Sequence, residues 1–260
     1  MVRNLTRLLT IIAVIHGPAG IAAADGGETD RLVQSTTEAR TYIHFKIPGA
    51  AVQKALPDDW VSSPATGPLA GTNLIMLLVE GLAAHSPEGN PVLHQGKFAL
   101  WAVPAKSART GAAAFMILGG LTSQTQAAPG AYGVYAFAHM TMIKSARSEG
   151  PNVTFVEENW TASSDAGDRI SFAAAYQRGV GTRAYVEPHA YSATRPDFYR
   201  IYRADQITDT VHSTAAGMRK ATKVEFSASG PQLSKFFNGS EELLGITSIP
   251  AYDRKIFLPD

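Results

Sequence analysis

The stretch "GVYAFAHMTMIKSA" (133–146) carries eleven uncharged residues, Gly133 to Ile143, that run directly into Lys144. A lysine so placed could do one distinctive thing. If a strand carries it into a dry interior, its ammonium loses water, burial disfavours the charged form and the pKa falls. The neutral amine can then attack a carbonyl carbon and form a Schiff base. Read as a strand, the run alternates between two faces. Lys144 shares one face with Val134, Ala136, Ala138, Met140 and Met142, while Tyr135, Phe137, His139, Thr141 and Ile143 occupy the other. Short and flexible apolar side chains beside the lysine would leave room for a ligand, so Met140 and Met142 are expected to touch it. His139 is read first as a core histidine and otherwise as a substrate contact. The competing reading of Lys144 is a strand reaching water in the polar turn "KSARSEG". If the lysine is buried, Lys144→Met is expected to leave stability intact or raised.

Few other residues form a chemical constellation. Beyond the first 24 residues six histidines remain, His44, His85, His94, His139, His189 and His212, none at a zinc spacing, and no metal is expected. His85 and His94 flank the loop-like "SPEGNPVL". Glu157 and Glu158 are adjacent, so on a strand they face opposite sides and read as part of a solvated hairpin. "RPDFYRIYRADQ" sets Arg195, Arg200 and Arg203 among aromatics. That suits a carboxylate held by arginine or, more simply, a surface strand with cation–π contacts. No nucleophile elbow, S-x-x-K or phosphate loop occurs, and Gly119-Gly120 reads as a strand end. There is no cysteine, which excludes thiol catalysis and iron–sulfur clusters.

The elements that must position these residues are mostly strands. "ARTYIHFKI" (39–47) has aromatic and β-branched strand content. Pro48 opens a helix whose stripe is Ala51, Val52, Ala55 and Leu56, and Pro57 stops it. "TNLIMLLVEGL" (72–82) and "GKFALWAVP" (96–104) are continuous apolar runs, the mark of strands covered on both faces. "AAAFMILGG" (112–120) is read as a strand from its small size and glycines. Residues 152–178 form a hairpin around "SSDAGD". "TRAYVEPHAYSA", "PDFYRIYRA" and "TKVEFSAS" add strands, "PQLSKFF" (231–237) is read as a short helix, and "NGSEELLG" as a helical turn with Asn238 and Glu241 at capping-box spacing. "AYDRKIFLP" closes the chain as a strand. Short strands, few helices and no βαβ rhythm predict a mainly β (α+β) fold, an antiparallel β-barrel-like domain with a few short helices.

The opening "MVRNLTRLLTIIAVIHGPAGIAAADGG" has a basic start, a short apolar core and "AAA" at 22–24, the pattern of a secretory signal peptide over residues 1–24. Its apolar core is shorter than the ~20 residues a membrane span needs. The expected mature domain, 25–260, is a single unit, periplasmic or secreted. Removing Arg3 and Arg7 leaves 21 basic residues against 22 acidic ones, which argues against nucleic acid as a partner.

The order of several segments resembles the acetoacetate decarboxylase-like superfamily. "IPGAAVQKALPDDW" resembles that family's early helix ending in Leu-Pro, and "GTNLIMLLVEGL" the strand after it. "YGVYAFAHMTMIKSAR" falls where the family carries its lysine segment. "FVEENWTASSDAGDRISFAAAYQRGV" resembles the following hairpin, and "FFNGSEELLGITSIPAYDRKIFLP" the C-terminal close. The resemblance spans residues 42 to 258. It implies a barrel with a small-molecule pocket, Lys144 as the Schiff-base amine of a keto-acid decarboxylase, an acidic pocket residue at Glu80 or Glu88, and no organic cofactor. The chain departs from the family at one point: the decarboxylases carry two adjacent lysines after a proline, and here Ile143 and Ser145 flank Lys144. The alternative expectation is therefore a non-catalytic barrel that binds a small apolar ligand. Homo-oligomerisation is left open.

Overall fold

The computed structural model describes residues 30–93, 96–151 and 153–259; the leader-like segment and His94 lie outside them. In chain order the elements are β1 (Arg31–Lys46), α1 (Gly49–Lys54), β2 (Trp60–Ser62), β3 (Leu74–His85), β4 (Pro91–Leu93), β5 (Gly96–Ser107), β6 (Ala113–Thr122), β7 (Tyr135–Ser148), β8 (Thr154–Ser164), β9 (Arg169–Arg178), β10 (Thr182–Val186), β11 (His189–Ser192), β12 (Tyr199–Ser213), β13 (Met218–Arg219), β14 (Ala221–Ser229) and β15 (Glu242–Leu258). Strands make up 63% of the chain, and seven of them close a barrel in the order β1-β3-β5-β6-β11-β12-β15 and back to β1. Closure leaves these seven strands without a free edge. The mainly β, barrel-like fold expected from the sequence is thus found. Most pairings are antiparallel, and β6 pairs in parallel with both β7 and β11.

Outside the barrel, β7, β8, β9 and β14 form a four-stranded sheet. The strand β7 belongs to both regions. Its first three residues, Tyr135–Phe137, pair with Gly120–Thr122 of β6, and from Ala138 onward it pairs with β8 instead. The main hydrophobic core lies between the barrel's outer wall and this sheet. Ile43, Phe45, Leu74, Met76 and Trp101 from the wall cluster with Val156, Trp160, Phe172 and Tyr176 from the sheet. Phe45 meets Phe226 of β14 at 4.7 Å between ring centroids. Each such large apolar side chain, fully buried, contributes ~1.5–3 kcal/mol relative to exposure, so this layer holds the sheet onto the barrel.

Three local expectations are corrected. Gly119 and Gly120 sit inside β6, not at its end. A Cβ on Gly119 would collide with the Trp101 ring, and one on Gly120 would lie 2.7 Å from Tyr135 Cδ1, so both positions stay bare to admit aromatic rings. Residues 231–236 form hydrogen-bonded turns, not a helix. Asp168 Oδ1 accepts the Gln232 N–H at 2.9 Å while Leu233, Phe236 and Phe237 bury into the core, and those anchors set the path. Glu241 Oε2 does accept the Asn238 N–H at 3.0 Å, as capping spacing suggests, but the chain enters β15 at Glu242 without a helical turn.

Candidate functional site

Period-2 alternation gives the barrel two unlike surfaces. In β1, Ile43 and Phe45 point outward to the core, while Thr36, Glu38, Arg40 and Tyr42 point inward. In β12, Arg200, Tyr202 and Ala204 point inward; in β15, Tyr252, Arg254 and Ile256 do. These strands enclose a cavity of about 1250 Å³ inside the barrel. Pockets of ~300–1,000 Å³ commonly hold drug-sized ligands, so the space is ample for a small molecule.

One side of the cavity is built from charged groups and tyrosines. Glu38, 3% exposed, accepts from Arg40 Nη2 at 2.5 Å, Arg254 Nε at 2.9 Å and Tyr252 Oη at 2.8 Å. Burial by itself would raise the Glu38 pKa; Arg254 and Arg40 oppose it, with the Tyr252 hydrogen bond, and hold the carboxyl below its ordinary value. Burial works against the Arg40 charge, and Glu38 outweighs it, so Arg40 stays protonated. Arg40 Nη1 donates to Tyr42 Oη at 2.8 Å, and the Arg254 guanidinium lies 4.4 Å from the Tyr202 ring centroid. Tyr202 and Tyr132 bring their hydroxyls to 2.5 Å. Burial pushes the Tyr132, Tyr135 and Tyr252 phenols above their ordinary range, so they remain protonated hydroxyls.

The charge count of this cluster is unequal. Glu38 is one carboxylate beside the guanidiniums of Arg40 and Arg254, and the Arg200 guanidinium bears with both of them on the Tyr135 phenol from the same lining. Among the described residues the buried Nε atoms of Arg40 and Arg200 have no hydrogen-bond partner. These two atoms are shut off from the cavity as well as from water, so what an anion entering the cavity would meet is the surplus charge of the guanidiniums. The remaining charged lining residues are already matched: Lys220 Nζ donates to Asp209 Oδ1 at 2.6 Å, and Glu187 accepts from Arg203 at 2.8 Å. Lys220 is the lysine of the lining.

Except for Arg200, which lines the cavity, the residues singled out from the sequence lie elsewhere. Lys144, Glu80, His139, Met140 and Met142 are all absent from the cavity lining. Lys144 does point inward, but beneath the four-stranded sheet, because β7 has left the barrel by then. Its side chain is 23% exposed, and Nζ lies 3.2 Å from Oε2 of Glu158, which is fully buried. The reading of Glu158 as part of a solvated hairpin is corrected by the same contact: Glu157 faces water and Glu158 faces the core. Met140 and Met142 pack on that core. His139 is exposed, edge-on to Phe137 at 5.4 Å, and is not a core residue. Glu80 is half-buried and points away from the cavity, pairing across to Lys97 in the β3–β5 register; Glu88 lies in an exposed loop, accepting from Ser86 at 2.7 Å. In the arginine segment, Arg195 and Arg203 stack over Phe198 and Phe257, as the cation–π reading expects, while Arg200 turns into the cavity.

Sequence reasoning missed Glu38, Arg40, Tyr252 and Arg254. Their signal was present as alternation: Glu38-Arg40-Tyr42 and Tyr252-Arg254-Ile256 each occupy one face of a strand whose other face is apolar in part. Among the described residues no group of three His, Cys, Asp or Glu side chains is arranged to hold a metal ion. No helix of the described residues is long and apolar enough to cross a membrane.

Solved structures share this architecture. An acetoacetate decarboxylase-like enzyme from Sphingomonas wittichii RW1 superposes with a TM-score of 0.55 over 94% of this chain and 99% of its own, at 11% identity. The enduracididine biosynthesis enzyme MppR with bound HEPES buffer gives 0.53 over 94% of both chains at 9% identity, and MppR complexed with pyruvate gives 0.51 over 93% and 96% at 10%. At these identities the likeness establishes the fold, which is that of acetoacetate decarboxylase-like enzymes, as the segment order suggested. No family model and no curated protein matches the sequence.

Proposed function

We propose that the protein binds a small carboxylate-bearing molecule inside the barrel and that Lys144 takes no part in its chemistry. One observation carries this reading: the lining sets buried Arg40 and half-buried Arg200 and Arg254 on the same side as the single carboxylate of Glu38, so that side of the cavity holds more cations than anions. Arginine suits the role because its planar fork matches a carboxylate and its charge is not lost on burial. The pyruvate named for the MppR complex is a carboxylate of this class. A Schiff base would need an amine in the cavity. Lys144 is not in the lining, and Lys220 is held by Asp209. This favours the non-catalytic binding barrel over the keto-acid decarboxylase, with the ligand anionic at one end instead of wholly apolar. An exported location rests on the leader-like residues 1–24, and N-terminal sequencing of the mature protein should then begin at Asp25.

The test is chemical trapping. Protein incubated with pyruvate or acetoacetate and then reduced with borohydride should show no substrate-derived mass on any lysine, while calorimetry registers binding. A stable adduct on Lys144 or Lys220 would restore the amine mechanism and defeat this reading.

A further inference from the structure

The cavity is divided between two walls as well as charged. The walls from β3, β5 and β6 present Ile75, Leu77, Val79, Phe98, Leu100 and Ile117, and the charged cluster stands on β1, β12 and β15. The apolar wall is therefore contiguous, since β3, β5 and β6 are neighbours in the barrel, and so is the polar one. A protein core normally fills such apolar space with its own side chains, leaving few voids larger than a water molecule. Here seven strands' worth of inward positions leave about 1250 Å³ open. With roughly 30 Å³ as one water's share of liquid volume, a six-heavy-atom acid such as pyruvate takes up only a small part of that space. It could offset the arginines' charge, yet it would leave the half-buried Leu77, Phe98 and Leu100 in contact with water.

Resting on the reading above, we infer that the ligand is amphipathic: a carboxylate head on the Arg40–Arg200–Arg254 side and an apolar body, of the medium- to long-chain alkanoate class, laid along the β3–β5–β6 wall. Both halves of the lining are then used. The head offsets the surplus positive charge. The body replaces water against aliphatic and aromatic side chains. Each methylene buried this way should tighten binding about fourfold until the wall is covered. The unequal walls also fix orientation, because the reversed ligand would bury a carboxylate against Leu77 and Val79 and leave the arginines' charge unmatched.

The experiment is a chain-length series by calorimetry on the full chain, stripped of lipid, with butanoate, octanoate and dodecanoate, and with pyruvate and dodecanol alongside. The inference expects dodecanoate to bind at least a hundredfold tighter than butanoate, and dodecanol to bind well below dodecanoate. Arg254→Met should weaken dodecanoate at least tenfold and leave dodecanol unchanged. Affinity that is flat or falls with chain length while pyruvate or butanoate binds overturns the amphipathic ligand and spares the carboxylate-binding reading. Dodecanol binding as tightly as dodecanoate overturns the head assignment. Failure of every carboxylate to bind overturns both. The wild-type series decides these outcomes even if the Arg254→Met variant folds poorly.

Discussion

Glu38 and Glu158 are both buried carboxylates with cationic partners, one inside the barrel and one beneath the four-stranded sheet. Glu38 receives Arg40, Arg254 and Tyr252 and still leaves the neighbourhood positive. Glu158 meets one lysine, whose side chain is partly exposed, in a one-to-one pair with a packed core around it. The first arrangement faces open volume; the second does not line the cavity. A buried ion pair is weak grounds for function when its charges balance and nothing can reach it. Imbalance beside an open cavity is the more informative feature.

The comparison breaks most visibly at Glu38. Replacing Glu38 with Gln leaves Arg40 and Arg254 without their carboxylate and should cost about 3–5 kcal/mol, read from denaturant unfolding. A loss below about 1 kcal/mol would mean that the cluster is not the tightly coupled unit described.

Acid should act on the barrel wall next. Burial lowers the His44 pKa to about 3, so the folded protein holds this ring neutral while the unfolded chain protonates it near 6.5. Between those values the unfolded state binds the extra proton, and stability should fall as pH drops, by about 1.4 kcal/mol per pH unit from this group. Glu38 adds to the trend: its folded pKa is depressed, so its contribution is present above the ordinary carboxylate value and lost as pH falls through the lower one. Unfolding curves of His44→Gln between pH 6.5 and 4 should be flatter than those of the wild type; parallel curves would contradict the assignment.

On the sheet side, Lys144→Met should cost about 2 kcal/mol, less than a fully buried pair because the lysine is partly solvated. This replaces the expectation that losing a buried lysine is harmless, since Glu158 keeps its charge site without a partner. The double change Lys144→Met/Glu158→Leu should recover the loss, and neither form should alter ligand affinity. A Lys144→Met protein as stable as the wild type would show that Glu158 does not need it. The smallest effect is expected at Ile143, 65% exposed on the outer face of β7, where Ile143→Thr should stay within about 0.5 kcal/mol.

Much of the fold was legible because strand periodicity and turn residues are local signals. The hairpin around "SSDAGD" and the helix between Pro48 and Pro57 fall where those signals put them. The residues that share the Lys144 face, Ala136, Ala138, Met140 and Met142, are also legible from alternation and pack on one core. What the sequence did not carry is which interior that face enters, because β7 changes sheets at Ala138 through pairings made by distant residues. Aromatic and β-branched strand content starts at Ala39, one residue past Glu38, which hides the Glu38-Arg40-Tyr42 alternation, while β1 runs from Arg31. The partners that make Arg40 notable, Tyr252 and Arg254, lie over two hundred residues away in sequence, and only the β1–β15 register joins them.

The most direct test of where the ligand sits is a crystal structure of the protein saturated with an alkanoate. The carboxylate should lie within hydrogen-bond distance of Arg40, Arg200 or Arg254, with its chain against Leu77 and Leu100. Ligand density against the Lys144 amine, or a barrel left empty at saturation, would contradict it.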